Sequence, residues 1–219
     1  MCQFLLRQPE VPVRRQTTEP GGFTLLEVLV SITILSIGMM ASALLMSNSY
    51  KYSVRSRYMA EAAQLASEKL EDLNRFPVID EHVTVMAGDN ECGLTGENCE
   101  GSLTADAAPQ QITTGGSTFT VAYSDAVFIS AANGQLQETY QTAAGTSPSY
   151  STLTFSPSGT TPAITTSATA PTIGETFDRR WTIEMDQPVT GVRRVTVLVT
   201  LMDDTIKPPV TFQMSMVRP

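Results

Sequence analysis

The most pronounced feature of the chain is a long apolar run near its start. Residues 28–50 include no charged side chain, and most of these 23 positions are Val, Ile, Leu, Met or Ala. A helix of this length, at about 1.5 Å per residue, spans the roughly 30 Å hydrocarbon core of a bilayer. Core helices of soluble domains seldom stay purely apolar for more than about 14 residues. The run therefore predicts a membrane-spanning helix.

The pattern becomes amphipathic from residue 51 to residue 76, where apolar positions recur at helical spacing and charged residues fall between them. Pro77 ends the predicted helix, because proline cannot continue one. A helix without a break from Thr24 to Arg75 would be about 78 Å long, far longer than a bilayer requires. Its second half is therefore predicted to pack on a globular domain, through Val54, Tyr58, Ala62, Leu65, Leu70 and Leu73.

Alternating apolar and polar residues, separated by turn residues, predict β-strands after Pro77. Two strands are predicted over residues 118–123 and 126–130, and three more near the end of the chain, with a turn at 186–191 between the first two of those. These elements predict an α+β fold in which a long N-terminal helix packs on an antiparallel β-sheet. The alternating apolar residues of the last three strands are Trp181, Ile183, Met185, Val195, Val197, Val199, Leu201, Phe212, Met214 and Met216.

The segment 139–174 has 36 residues without a charge and is rich in Thr, Ser, Ala, Pro and Gly. Its composition predicts an exposed loop or a flexible insert, with irregular strands as an alternative. A surface carrying O-linked glycans, or an adhesive surface, is a further hypothesis for the same residues.

The residues that precede the apolar run form a specific pattern, in which Gly21, Gly22, Phe23, Thr24, Leu25, Leu26 and Glu27 lead directly into it. This stretch resembles the class III leader and mature N-terminus of type IV prepilins and pseudopilins. The resemblance implies that a prepilin peptidase cleaves after Gly22 and that the new amino group of Phe23 is methylated. It also places the leader, residues 1–22, in the cytoplasm and the head outside it, so that the chain crosses the inner membrane once.

Glu27 stands at the start of the predicted membrane helix. A carboxylate there costs several kcal/mol unless a cation pairs with it or it reaches the headgroup region. The resemblance implies that its partner is the amino terminus of a neighbouring subunit, so that Glu27 sets the register of a growing filament. The alternative is a solvated acid at the end of a helix.

Two features of this helix resemble PilV-like minor pilins more than major pilins. One is the tetrapeptide Leu35, Ser36, Ile37 and Gly38, and the other is that no proline occurs from residue 23 to residue 76. The resemblance implies a structural subunit of a type IV pilus, located in the inner membrane and in the extracellular fibre. Its partners would be other pilins, the prepilin peptidase and the pilus assembly platform. A minor pseudopilin of a type II secretion system is the first alternative, and a membrane-anchored, adhesin-like binding module is the second.

The domain organisation that follows is a leader (1–22), a membrane and filament-core helix (23–50), an amphipathic half of that helix (51–76) and an extracytoplasmic, β-rich head (77–219). Cys92 and Cys99 are predicted to form a disulfide, because the space outside the inner membrane is oxidising. Zinc bound by both thiols and His82 is an alternative with no matching motif. Calcium is another, since oxygen-bearing side chains surround the two cysteines: Asp89, Asn90, Glu91, Glu97, Asn98 and Glu100.

The net charge of −8 disfavours nucleic acid as a general partner, because a negative field repels phosphates. Two arginine pairs, Arg179 with Arg180 and Arg193 with Arg194, could still form a local basic patch, although an ordinary charged strand face is the simpler interpretation. The sequence contains a single histidine and none of the common catalytic motifs. We therefore predict neither an enzyme nor a resident cofactor or metal.

Overall fold

A computed structural model describes residues 22–90, 92, 98–104, 109–132, 135–143, 149–155, 162–172 and 174–219. The chain forms two compact units, Met1–Ser49 and Tyr50–Pro219. Helix α1, Leu25–Arg75, belongs to both. It begins after Thr24, whose side-chain oxygen accepts a hydrogen bond from the Glu27 N–H at 3.3 Å, and it ends just before Pro77. The predicted unbroken helix is confirmed, whereas nearly all of the predicted leader lies outside the described residues.

Ten strands follow the helix in the described part of the chain. They are β1 (Cys99–Glu100), β2 (Gln110–Thr114), β3 (Ser117–Val121), β4 (Ser124–Ala132), β5 (Gln135–Ala143), β6 (Ser149–Phe155), β7 (Ala163–Ser167), β8 (Glu175–Met185), β9 (Arg193–Leu201) and β10 (Thr211–Arg218). In β8 and β9 side chains of both faces are buried, Thr182, Glu184 and Thr196 among them.

Eight strands form one antiparallel sheet in the order β10-β9-β8-β4-β5-β6-β7, and β1 pairs with the end of β8 that extends beyond β4. The strands β2 and β3 form a separate hairpin. The strand β8 is an interior strand of this sheet, because it pairs with β9 on one edge and with β4 and β1 on the other. This arrangement confirms the predicted α+β class, a long helix with an antiparallel sheet.

The core of the second unit lies between the amphipathic half of α1 and the sheet. Leu65 and Leu73 on the helix share one buried cluster with Trp181, Ile183 and the inward-facing valines of β9. Each such side chain contributes about 1.5–3 kcal/mol when removed from water. The buried helix residues are Tyr58, Ala62, Leu65, Ala66, Leu70 and Leu73, which are the predicted positions except that Val54 is only partly buried and Ala66 is added.

The described part of the segment 139–174 forms strands, which the sequence left open as the alternative to an exposed loop. Its described residues include the end of β5 and all of β6 and β7, and Thr139 is buried. The Thr139 and Thr152 hydroxyls lie 2.8 Å apart across β5 and β6. Threonine and serine suit a pleated, half-buried surface and can bond across strands, so a composition typical of loops here forms a sheet.

Gly101 is required where the chain passes beneath β8. It has φ +81, and a Cβ atom at this position would collide with the Trp181 carbonyl oxygen. We expect Gly101→Ala to lower the free energy of unfolding of the head by more than about 2 kcal/mol. Gly88→Ala is the matched control, since Gly88 has φ +88 but open space around it, and should cost about 1 kcal/mol. Denaturant unfolding, followed through the fluorescence of Trp181, the single tryptophan, measures both; equal losses would contradict the steric argument.

Candidate functional site

The start of α1 brings together the three residues predicted to function in processing and assembly. Gly22 and Phe23 precede the helix in exposed positions, and Phe23 is 81% exposed. Glu27 is the third helical residue, where a negative charge interacts favourably with the helix dipole. Among the described residues, no ion pair involves Glu27.

The apolar half of α1 is exposed along its whole length. Every residue from 22 to 53 is exposed, and α1 is the one helix in the described part of the chain that is long and apolar enough to cross a membrane. Three of its hydroxyl groups bond back to the helix: Thr33 to the Val30 carbonyl at 2.7 Å, Ser36 to the Ile32 carbonyl at 2.7 Å and Ser42 to the Gly38 carbonyl at 2.9 Å. Such back-bonding leaves these donors satisfied in an apolar surrounding.

A model of the prokaryotic N-terminal methylation motif matches residues 21–43. The chain carries the class III signal of type IV pilins. A signal of this kind is typical of type IV pilin-like and pseudopilin proteins, in which it implies processing by a prepilin peptidase and assembly with other pilins. The signal and the apolar helix together fit membrane anchoring and a pilus. No curated protein and no solved structure matches the chain significantly.

Cys92 and Cys99 form a disulfide, with their Cα atoms 5.7 Å apart. The oxygen atoms near it serve the backbone: Asn98 Oδ1 accepts the Gly88 N–H, and Glu100 Oε1 accepts the Met86 N–H, both at 3.0 Å. Glu91 and Glu97, two of the acids considered for calcium, lie outside the described residues. The described oxygens therefore brace a turn rather than converge on an open site.

His82 does not join the cysteines, since both thiols are used in the disulfide. Its ring stacks on Phe76 with centroids 4.4 Å apart, and its Nδ1 lies 2.7 Å from Asp80 Oδ1. His82, Asp80 and Glu81 form one compact group of potential metal ligands among the described residues. The histidine side chain is 46% exposed, and such clusters are common on surfaces without a metal, so the group supports no metal site.

The two arginine pairs do not form a basic patch. Arg180 pairs with Asp178 at 2.7 Å, and Arg194 pairs with Glu184 in two contacts. Buried Arg193 donates to the Val78 and Val83 carbonyl oxygens. Because carboxylates pair with Arg180 and Arg194, and carbonyl oxygens accept the hydrogen bonds of Arg193, the structure favours the simpler interpretation, a charged strand face. The fourth arginine, Arg179, has a different role.

A buried charged group joins α1 to the sheet, and sequence patterns did not reveal it. Arg179 makes two 2.7 Å hydrogen bonds to Asp125, and Lys69 Nζ lies 3.4 Å from the same carboxylate. Lys69 also lies over the Trp181 ring, 3.9 Å from its centroid, a favourable cation–π geometry. Strand alternation could have marked Asp125 as facing inward, but it cannot identify partners 54 and 56 residues away in sequence.

Electrostatics within this group favour the ionised aspartate. Burial alone raises the pKa of Asp125, but the charges of Arg179 and Lys69 outweigh burial and hold this pKa below its usual value. Burial lowers the pKa of Lys69, and Asp125 offsets only part of that shift. The group therefore stabilises the head as long as Asp125 carries its charge.

Proposed function

We propose that this protein is a minor pilin of a type IV pilus, of the PilV-like kind, which is cut after Gly22 and methylated at Phe23. The observation that carries the proposal is the exposed apolar half of α1, which begins within the methylation motif and contains no charged residue from 28 to 50. A helix that exposes only apolar groups needs lipid or other helices around it. In a subunit that is first held in the membrane and then packed into a fibre, lipid surrounds this helix at first and other helices surround it later.

In the proposed mechanism, the membrane half of α1 stores the subunit in the inner membrane. When the subunit enters the fibre, Glu27 pairs with the Phe23 amine of its neighbour, and methylation leaves that amine charged. Formation of this ion pair sets the register of the new subunit in the fibre. The extracytoplasmic head, with its Cys92–Cys99 disulfide, then contacts neighbouring subunits and catalyses nothing.

Mass and terminus analysis tests this function most directly. We expect the intact mass of protein from sheared surface fibres to correspond to a chain that begins at Phe23, with one added methyl group and two hydrogens lost to the disulfide. The N-terminal residue should be N-methylphenylalanine. A chain found only in the inner membrane and still containing Gly22 would contradict the proposal. A processed chain that never reaches surface fibres would instead favour a pseudopilin of a secretion system.

A further inference from the structure

A cleft of about 470 Å³ opens in the head beside the amphipathic half of α1. One side is apolar, formed by Ile129 on β4 and Leu136 on β5, whereas Arg57, Glu61 and Glu175 form the other. Its walls are thus mostly hydrocarbon with a cluster of charges at one place. Such a combination selects a ligand with an apolar stem and a charged end.

The charges in the cleft do not balance. Arg57 is shared between two carboxylates, at 2.6 Å from Glu175 Oε1 and at 3.3 Å from Glu61 Oε1. The Tyr58 hydroxyl donates to Glu175 at 2.8 Å. The second oxygen of Glu61, Oε2, is buried and has no hydrogen-bond partner. One cation for two carboxylates leaves a net charge of −1 on a partly exposed cluster, in which the side chains of Arg57, Glu61 and Glu175 are 59%, 26% and 31% exposed.

Among the described residues, Arg57 is the one cation that pairs with Glu61 or Glu175. The charged and titratable groups that act on Glu61 are Glu175, Arg57 and Tyr58. The adjoining residues 131–134 and 173, parts of which lie outside the described structure, have no charge in the sequence.

Gly174 contributes to the shape of the cleft, because it has φ +126 and any side chain there would press against the Ile129 carbonyl. The backbone can approach β4 closely for this reason.

We propose that this cleft receives a lysine or arginine side chain from a neighbouring protein subunit, whose alkyl stem lies along Ile129 and Leu136 and whose cation pairs with the Glu61 and Glu175 carboxylates. Charge complementarity decides the occupant, since a cation both donates hydrogen bonds to the carboxylates and cancels the net charge. The identity of the neighbour as another pilin rests on the proposed function. The chemistry of the cleft does not.

The pH dependence follows from the surroundings of Glu61. Burial, and then the nearby charge of Glu175, raise the pKa of Glu61 above its usual 4.5, although Arg57 opposes this. A bound cation favours the ionised form and lowers that pKa again. Binding therefore weakens as the pH falls, and it does so at a higher pH than for an ordinary exposed glutamate.

A titration of the full-length protein in detergent micelles tests the cleft with a minimal probe. We expect n-butylammonium to shift the methyl NMR signals of Ile129 and Leu136 in a saturable manner at neutral pH. The matched probes are n-butanol, which has the stem without the charge, and ammonium, which has the charge without the stem. Each should bind at least about tenfold more weakly. Equal binding of butanol would show that the cleft is merely apolar and would overturn the proposal.

Two variants test whether butylammonium binding depends on the Glu61 carboxylate. Glu61→Gln should weaken butylammonium at least about tenfold and remove the pH dependence. Glu71→Gln is the control, because Glu71 forms a comparable but exposed pair with Arg75 on the same helix and should change nothing. Thermal unfolding of both variants verifies that they fold. Unchanged binding by folded Glu61→Gln, or no saturable shift in the unsubstituted protein, would refute the site.

Fibre incorporation separates this inference from the proposed function. If both hold, Glu61→Gln should be processed at Phe23 normally and enter fibres less efficiently than Glu71→Gln. If the cleft binds butylammonium but incorporation is equal, the neighbour is not a fibre subunit and the proposed occupant is wrong. If the unsubstituted protein is itself never processed or assembled, the proposed function fails, whatever the cleft binds.

Discussion

Glu27→Val is expected to insert into the inner membrane normally and to be at least about tenfold depleted from sheared fibres. The substitution makes the membrane half of α1 more apolar, so insertion should not suffer. It removes the carboxylate that would pair with the charged amine of a neighbouring Phe23. An amine left unpaired in an apolar fibre core costs about 3–5 kcal/mol, which is enough for this depletion.

Quantitative immunoblotting of membranes and sheared fibres measures this effect, with Glu71→Gln as a control far from the terminus. The side chain of Glu71 is 73% exposed and interacts only weakly with Arg75 at 3.7 Å. Its substitution should leave both fractions unchanged. Normal amounts of Glu27→Val in fibres would show that Glu27 is only a solvated acid near the helix start.

Asp125→Ala is expected to destabilise the head by about 3–5 kcal/mol, because it leaves Arg179 and Lys69 charged, buried and unpaired. Denaturant unfolding of the full chain, followed through Trp181 fluorescence, measures the loss. The double variant Asp125→Leu with Arg179→Met should recover part of it, since two apolar groups can replace a buried pair. A loss below about 1 kcal/mol would mean that water, rather than the pair, solvates this site.

Acid sensitivity gives an independent measurement of the same group. The pKa of Asp125 is lower in the folded protein than its ordinary value of 3.8. The stability due to this shift is therefore fully present above pH 3.8 and is lost as the pH falls through the lower, folded value. Asp125→Asn should remove this part of the acid dependence. An unchanged pH profile below pH 4 would show that the charge of Asp125 does not stabilise the fold.

The sequence was sufficient to predict features that depend on local periodicity. The uncharged run from 28 to 50 and the spacing of Leu65, Leu70 and Leu73 predicted helix α1, and strict alternation predicted β8 and β9. The methylation motif could be identified in the same way, because a peptidase recognises a short contiguous stretch of sequence and a membrane accommodates one. The composition of residues 139–174 did not distinguish a loop from strands, since threonine and serine occur both in loops and in strands whose hydroxyls bond across the sheet.

Long-range partners could not be predicted, because side-chain identity constrains what a residue can bond to but not which distant residue will be there. Asp125, Lys69 and Arg179 meet only after β4 pairs with β8 and α1 packs across them. The two carboxylates that share Arg57 are likewise far apart in the chain, at Glu61 and Glu175. Local pattern thus determined the elements, the membrane segment and the processing signal. Burial and strand order, which arise from packing of the whole head, decided which charges are paired and which acceptor remains vacant.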